Sequence, residues 1–349
     1  MDKIESNAIN VAKFILIIGV VFIHLPLRYQ SNLVIGETPI YSIVSSRFFL
    51  MDVSLPALFL ISGYLFFYKL NKDCTFEMSN YFQKLGSRVR SILIPYFFWN
   101  VFWLIYNLIK NVYLSKKGME GEIVIDSFES LVSSFWAVGQ GELPNAPIAP
   151  YTWFLRDVFV FAMLSPFYHF MYKNRKFSYV ALAISIILLG FPEFDIPLLN
   201  PAIYIGGFLA YNKYELKKSC ERFNLVLIII CLAVFSFLYY SILPLALFRI
   251  GLLLFSFLFV FKISLLLYNI VWINNLSKVA TYLYLTHIFV LNMGMHTLLS
   301  VISPKNDASL ASCYFLNLAL CLLVCISSFY ILKKIKANAI LRVMTGGRF

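Results

Sequence analysis

Hydrophobic positions in this chain fall neither in period-2 alternation nor in the one-sided stripes of soluble helices. They come as long, nearly unbroken runs separated by polar connections. Ten such runs, at 11–28, 44–68, 92–112, 151–172, 178–192, 197–212, 223–241, 244–262, 278–300 and 311–333, approach the roughly 20 residues that cross a bilayer core. The fifth and sixth are short. A barrel strand would alternate outward apolar with inward polar residues, so continuous apolarity predicts helices. The expectation is an all-α polytopic membrane protein of about ten transmembrane helices.

Composition points the same way: 60% of the 349 residues are hydrophobic and only 13% charged, against roughly 25% charged in a soluble domain. Too little polar surface exists to wrap a core of this size. The first run lacks a small-residue cleavage site and is expected to stay as an anchor. All six cysteines fall in runs or inner connections on the topology below, which argues against a secreted-type disulfide framework.

Charge then orients the spans. Connections after even-numbered runs carry Lys69, Lys72, Lys84, Arg88 and Arg90, then Lys173, Arg175 and Lys176, then Lys213, Lys217, Lys218 and Arg222. Those after odd-numbered runs carry Glu120, Glu122, Asp126, Glu129 and Glu142, then Glu193 and Asp195. Basic loops stay in the cytoplasm, so both termini are expected there. The net charge of +12 is explained by this bias, and no aromatic-basic module for nucleic acid accompanies it. Residues 1–335 read as one integral-membrane domain and 336–349 as a short basic cytoplasmic tail. The longest outer segment, about 113–150, contains "GELPNAPIAPY" and reads as an ordered loop able to cover an outer pocket.

Several ionisable residues interrupt this apolar background. Lys13 and His24 bracket the first run, eleven residues apart, which is about 16 Å along a helix. Each alone reads as an interfacial anchor, but the pair stands about one leaflet apart, roughly half of the 30 Å hydrocarbon layer. Arg88 and Arg90 precede the third run at its cytoplasmic mouth, where positive-inside bias competes with phosphate binding, a task suited to guanidinium. Arg156 and Asp157 enter the fourth run from outside behind Trp153, and intramembrane charge is a functional signal. Arg47, Asp52 and Arg249 add outer-half polarity. His287 reads either as a packed histidine bonded to a neighbouring helix, the favoured reading, or as a pocket residue; His169 and His296 receive no role. Histidine and cysteine spacings suggest no metal site, and no G-x-S-x-G nucleophile occurs.

At these residues the chain resembles acyltransferase family 3, integral-membrane enzymes that O-acetylate surface sugars. The resemblance rests on the basic-x10-His arrangement of Lys13 and His24, "LPALFLISGYLFF" at 55–67, "RVRSILIPYFFWN" at 88–100, "WFLRD" at 153–157 and "TYLYLTHIFVL" at 281–291. The first basic residue is often arginine in that family and is lysine here. The paired-arginine motif, often R-x-x-R, has Ser91 in its last place, with Arg90 as a substitute. The resemblance implies acetyl-CoA as a co-substrate reached from the cytoplasm, no tightly bound cofactor, and a surface glycan or lipid-linked sugar as acceptor on the outer side of the cell inner membrane. His24 is then expected as general base, Lys13, Arg88 and Arg90 as contacts to the donor's phosphates, and Trp153, Arg156 and Asp157 as acceptor-side residues. The competing classes are a glycan polymerase or flippase, and a secondary transporter.

Overall fold

The structure is a computed structural model that describes residues 2–25, 39–70, 78–116, 125–139, 145–191, 200–242, 245–304 and 307–347. Side chains of 39–52, 69, 70, 241, 242, 307 and 308 lie outside that description. The described residues are helical, without strands. In order they form α1 (Lys3–Ile23), α2 (Pro39–Leu70), α3 (Met78–Arg88), a π turn (Val89–Leu93), α4 (Ile94–Ser115), α5 (Phe128–Ser134), a 3-10 turn (Pro150–Thr152) and α6 (Trp153–Lys173). There follow α7 (Arg175–Leu189), α8 (Pro201–Tyr211), α9 (Leu216–Glu221), α10 (Leu225–Phe237), a second π turn (Leu238–Ile242), α11 (Ala246–Leu267), α12 (Val271–Ser277), α13 (Ala280–Ile302), α14 (Asp307–Lys334) and α15 (Asn338–Thr345).

Every one of the ten predicted runs overlaps a helix. Among the described residues five helical stretches are long and apolar enough to cross a bilayer: Lys3–Ile23, Met78–Ser115, Ala246–Leu267, Ala280–Ile302 and Ser309–Lys334. Val53–Tyr68, Pro201–Tyr211 and Leu225–Tyr240 are shorter apolar helices. The segment read as a tail is helical over Asn338–Thr345 and packs back on α4, where Trp99 Nε1 donates to Met344 O at 3.1 Å.

Helix starts are written locally. Asp2 caps α1, its Oδ1 accepting from Glu5 N–H at 2.6 Å, and that bond holds the Asp2 carboxyl below its usual range. Asn174, Asn200 and Asn224 cap α7, α8 and α10 in the same way. Outward faces are apolar: Val226, Ile230, Val234 and Phe237 on α10 and Val180, Ile184 and Ile187 on α7 are all exposed. A soluble protein could not present such patches to water; a bilayer accepts them.

Between lipid-like faces hydrophobicity offers no preference for a neighbouring helix, so close packing and hydrogen bonds hold the bundle together. The most extensive pairing, α2 with α8, brings Gly63 against the Ile203 carbonyl and Gly206 against the Leu60 carbonyl, distances at which any Cβ would collide. Glu5, buried at the start of α1, accepts from Tyr64 Oη at 3.0 Å and from Leu216 N–H at 3.1 Å, joining α1 to α2 and α9. The first helix is thereby gripped along its length by α2, α11, α12 and α13.

Candidate functional site

Lys13, Ile17, Val20 and His24 recur at helical spacing, so one stripe of α1 carries both ionisable groups. Lys13 and Ile17 line a cavity of about 430 Å³ between α1, α2, the first π turn, α6 and α13. Arg88 and Lys278 line it too, with Leu58, Ile61, Phe154 and Tyr284 among the apolar and aromatic wall residues. Three cations thus converge on a space whose remaining walls are mostly apolar.

Arg88 ends α3 where the backbone widens into the π turn, with Ile94 N–H bonded to Val89 O five residues back. Such bulges often mark functional positions, because they redirect side chains without breaking the helix. Its guanidinium lies over the Phe66 ring at 5.4 Å, a cation–π contact that orients it. Arg90 does not join it. A two-residue step turns a helix by about 200°, and Arg90 is exposed and absent from the cavity wall. Of the basic residues expected at the mouth, the structure brings Lys13 and Arg88 together with Lys278 and leaves Arg90 off the cavity wall.

Lys278 escaped the sequence reading although a signal was available. It stands nine residues before His287, as Lys13 stands eleven before His24. α1 and α13 run parallel from the cavity, and their histidines meet: His287 Nε2 is 3.4 Å from His24 Nδ1, with ring centroids 5.1 Å apart. His24 sits just past the end of α1, its Nδ1 2.8 Å from Val20 O. His287 is 0% exposed, with Nδ1 2.6 Å from Tyr284 O. The Tyr151 ring packs on His287 at 6.0 Å, Tyr284 Oη donates to Tyr151 O, and Trp103 Nε1 donates to Tyr151 Oη at 2.7 Å. His287 is therefore packed, as favoured, and it also touches the first histidine.

The third predicted set divides. Trp153 packs on Phe59 at 5.8 Å, beside the cavity-lining Phe154 and Leu155. Arg156 and Asp157 are buried on the other side of α6. Arg156 Nε donates to Asp157 Oδ1 at 2.9 Å, and its Nη1 donates to Trp136 O at 2.6 Å and Asn145 O at 3.1 Å. The guanidinium also stacks over Trp136 at 4.9 Å. These contacts hold described parts of the segment between α4 and α6, where Ser134, Ala146, Ile148 and Ala149 are buried. Irregular backbone of this kind needs protein partners for its polar groups. Tyr96 Oη donates to Phe135 O, and Asn100 accepts from Ala149 N–H at 3.1 Å while donating to Thr152 Oγ1 at 3.0 Å.

Arg249 is buried and donates to Leu189 O at 2.9 Å, tying α11 to the end of α7 rather than lining the cavity. The side chains of Arg47 and Asp52 lie outside the described residues. His169 packs on Tyr211 at 5.5 Å. Among the described residues no cluster of three or more His, Cys, Asp or Glu could hold a metal ion.

Residues 6–332 match the family model described as an acyltransferase domain. Over 173 residues, 48% of this chain, the sequence is 27% identical to the succinoglycan biosynthesis protein ExoH of Rhizobium meliloti (strain 1021), and the match spans 43% of that protein's length. No solved structure matches the chain.

Proposed function

The chain belongs to the acyltransferase-domain family and is a multi-pass membrane protein, and we propose that it moves an acetyl group from cytoplasmic acetyl-CoA to a hydroxyl of an extracytoplasmic or lipid-linked glycan. In this reading ten helices cross the cell inner membrane and both termini are cytoplasmic. The observation that carries it is the cavity, which gathers Lys13, Arg88 and Lys278 and reaches Tyr284, one helical turn before the His287 that touches His24.

Three cations beside an apolar passage suit a donor with a phosphorylated head and a long neutral arm. Arg88 supplies a planar fork to the diphosphate and the two lysines supply point charges. Arg90, exposed nearby, attracts the anion without lining its site. The acyl arm then follows the α1 stripe past Ile17 toward His24. At that end the acceptor hydroxyl gives its proton to His24 as its oxygen attacks the thioester carbonyl carbon. The C–S bond breaks, the departing sulfur takes the proton back, and neutral His24 is restored beside a free thiol.

On the acceptor side Trp153 packs on Phe59 beside the wall residues Phe154 and Leu155, while Arg156 and Asp157 work through the loop they hold. Sugar as the acceptor class draws support from the relative named for succinoglycan biosynthesis. Charge-lined central spans or paired broken helices would favour a flippase or a transporter; a cavity that gathers three cations and reaches Tyr284, one turn before a histidine pair, favours group transfer.

The test follows label from acetyl-CoA into glycan, using membranes matched for amount of the protein. Wild type is expected to transfer label, His24→Ala to lose about 10²–10⁴-fold in turnover, and Lys13→Ala to weaken donor binding with less effect on turnover. Near-normal transfer by His24→Ala, or no transfer by wild type to glycan or lipid-linked sugar, rejects the reading.

A further inference from the structure

The contact between His24 and His287 joins residues 263 positions apart and buries one of them completely. The protons in it can be traced. His287 Nδ1 lies 2.6 Å from Tyr284 O, and a carbonyl only accepts, so Nδ1 carries the hydrogen. A neutral imidazole protonated there has a bare Nε2, and that nitrogen faces His24 Nδ1 at 3.4 Å. His24 Nδ1 in turn lies 2.8 Å from Val20 O, again an acceptor only. Hence His24 also carries its hydrogen on Nδ1, shared between Val20 O and His287 Nε2. Its own lone pair falls on Nε2, the nitrogen turned away from both partners.

We propose that His287 is a positioning residue for His24, a neutral acceptor that fixes the ring and tautomer of the base and stabilises the Nδ1–H of the imidazolium formed in transfer. This rests on the reading of His24 as base. His24 stands beyond the last turn of α1, and its bond to the Val20 carbonyl holds the ring from its own helix. A second acceptor on α13 fixes the ring plane. His287 is itself held by the Tyr284 carbonyl and by packing against Tyr151, whose hydroxyl and carbonyl are engaged by Trp103 and Tyr284. The whole chain of contacts ends in rigid helix.

The closing experiment compares His287→Phe, which keeps a ring but loses the acceptor, with His287→Gln, whose Oε1 reaches close to the position of Nε2. Wild-type transfer and its loss in His24→Ala test the underlying reading by themselves. With those in hand, His287→Phe is expected to lower kcat about ten- to a hundredfold, the range for a hydrogen bond to a charged group, with the donor KM unchanged and His287→Gln recovering most of the loss. Nitrogen-15 NMR of the bilayer-embedded protein gives a second readout, since the chain holds only four histidines. The His24 Nδ1–H signal should move in His287→Phe and return in His287→Gln. Should the Phe variant fail to accumulate, His287→Asn, polar but too short to reach His24, provides the same contrast. A kcat within twofold of wild type in the acceptor-free variant, an unmoved His24 signal, or no recovery with Gln overturns the inference.

Discussion

Arg88 and Arg156 are both arginines near the ends of apolar helices, and the protein uses them in opposite ways. Arg88 is steered by a π turn and an aromatic face into an open cavity shared with Lys13 and Lys278. Arg156 is buried, paired with Asp157, and turned toward two carbonyls of the protein's own loop. A charge within an apolar run therefore signals that a polar partner must exist, without saying whether the partner is a ligand or backbone. What separates the two is the space beside the guanidinium.

The comparison breaks first at Arg156. Arg156→Ala would take the guanidinium away from a buried carboxylate and two loop carbonyls, a loss of about 3–5 kcal/mol for a broken buried pair. The expected outcome is a steep fall in folded protein extracted from membranes, measured by thermal aggregation in detergent, before any kinetic effect is considered. Full abundance with only a raised acceptor KM would transfer Arg156 to the ligand side of the comparison.

Arg88→Ala should do the reverse, leaving folded protein unchanged and raising the acetyl-CoA KM about tenfold, consistent with one lost charge-assisted bond. Arg90→Ala serves as its control and should stay within about twofold, because Arg90 faces away from the cavity. Equal effects of the two would mean that the mouth is a diffuse positive surface and not a shaped site.

Lys278→Ala is expected to raise donor KM severalfold, less than Arg88→Ala, since a lysine offers a point charge and not a fork. Lys278→Arg should retain near-normal affinity. A kinetic effect confined to the acceptor would remove Lys278 from the cation cluster.

The smallest effect concerns pH and lies at the α1 N-terminus. Asp2 titrates lower in the folded state because it accepts the Glu5 N–H. Its contribution is thus present above the unfolded carboxylate range and fades as pH falls through the depressed folded value. Asp2→Asn, which keeps a capping oxygen without the charge, should flatten the acid limb of a thermal-stability profile slightly while leaving transfer kinetics unchanged.

Much of this molecule follows from its sequence read alone. Apolar run length placed helices at all ten intervals because a helix that satisfies its own backbone bonds depends on local composition and length. Family motifs and intramembrane charge drew attention to Lys13, His24, Arg88 and the "WFLRD" segment for the same reason: charge in an apolar run is costly and therefore conspicuous. Tertiary structure alone decided what those groups meet. That Arg88 and not Arg90 faces the cavity depends on helix rotation relative to neighbours. The burial of Ala146, Ile148 and Ala149, and the capture of Arg156 by the carbonyls of Trp136 and Asn145, depend on contacts between separate elements. Lys278 and His287 joined the site only when α13 came to lie parallel to α1, bringing together residues 263 apart. In one dimension a lysine before a span is ordinary topology and a histidine within it ordinary packing. Only in three dimensions do two such helices side by side gather three cations around one cavity and bring two histidines into contact.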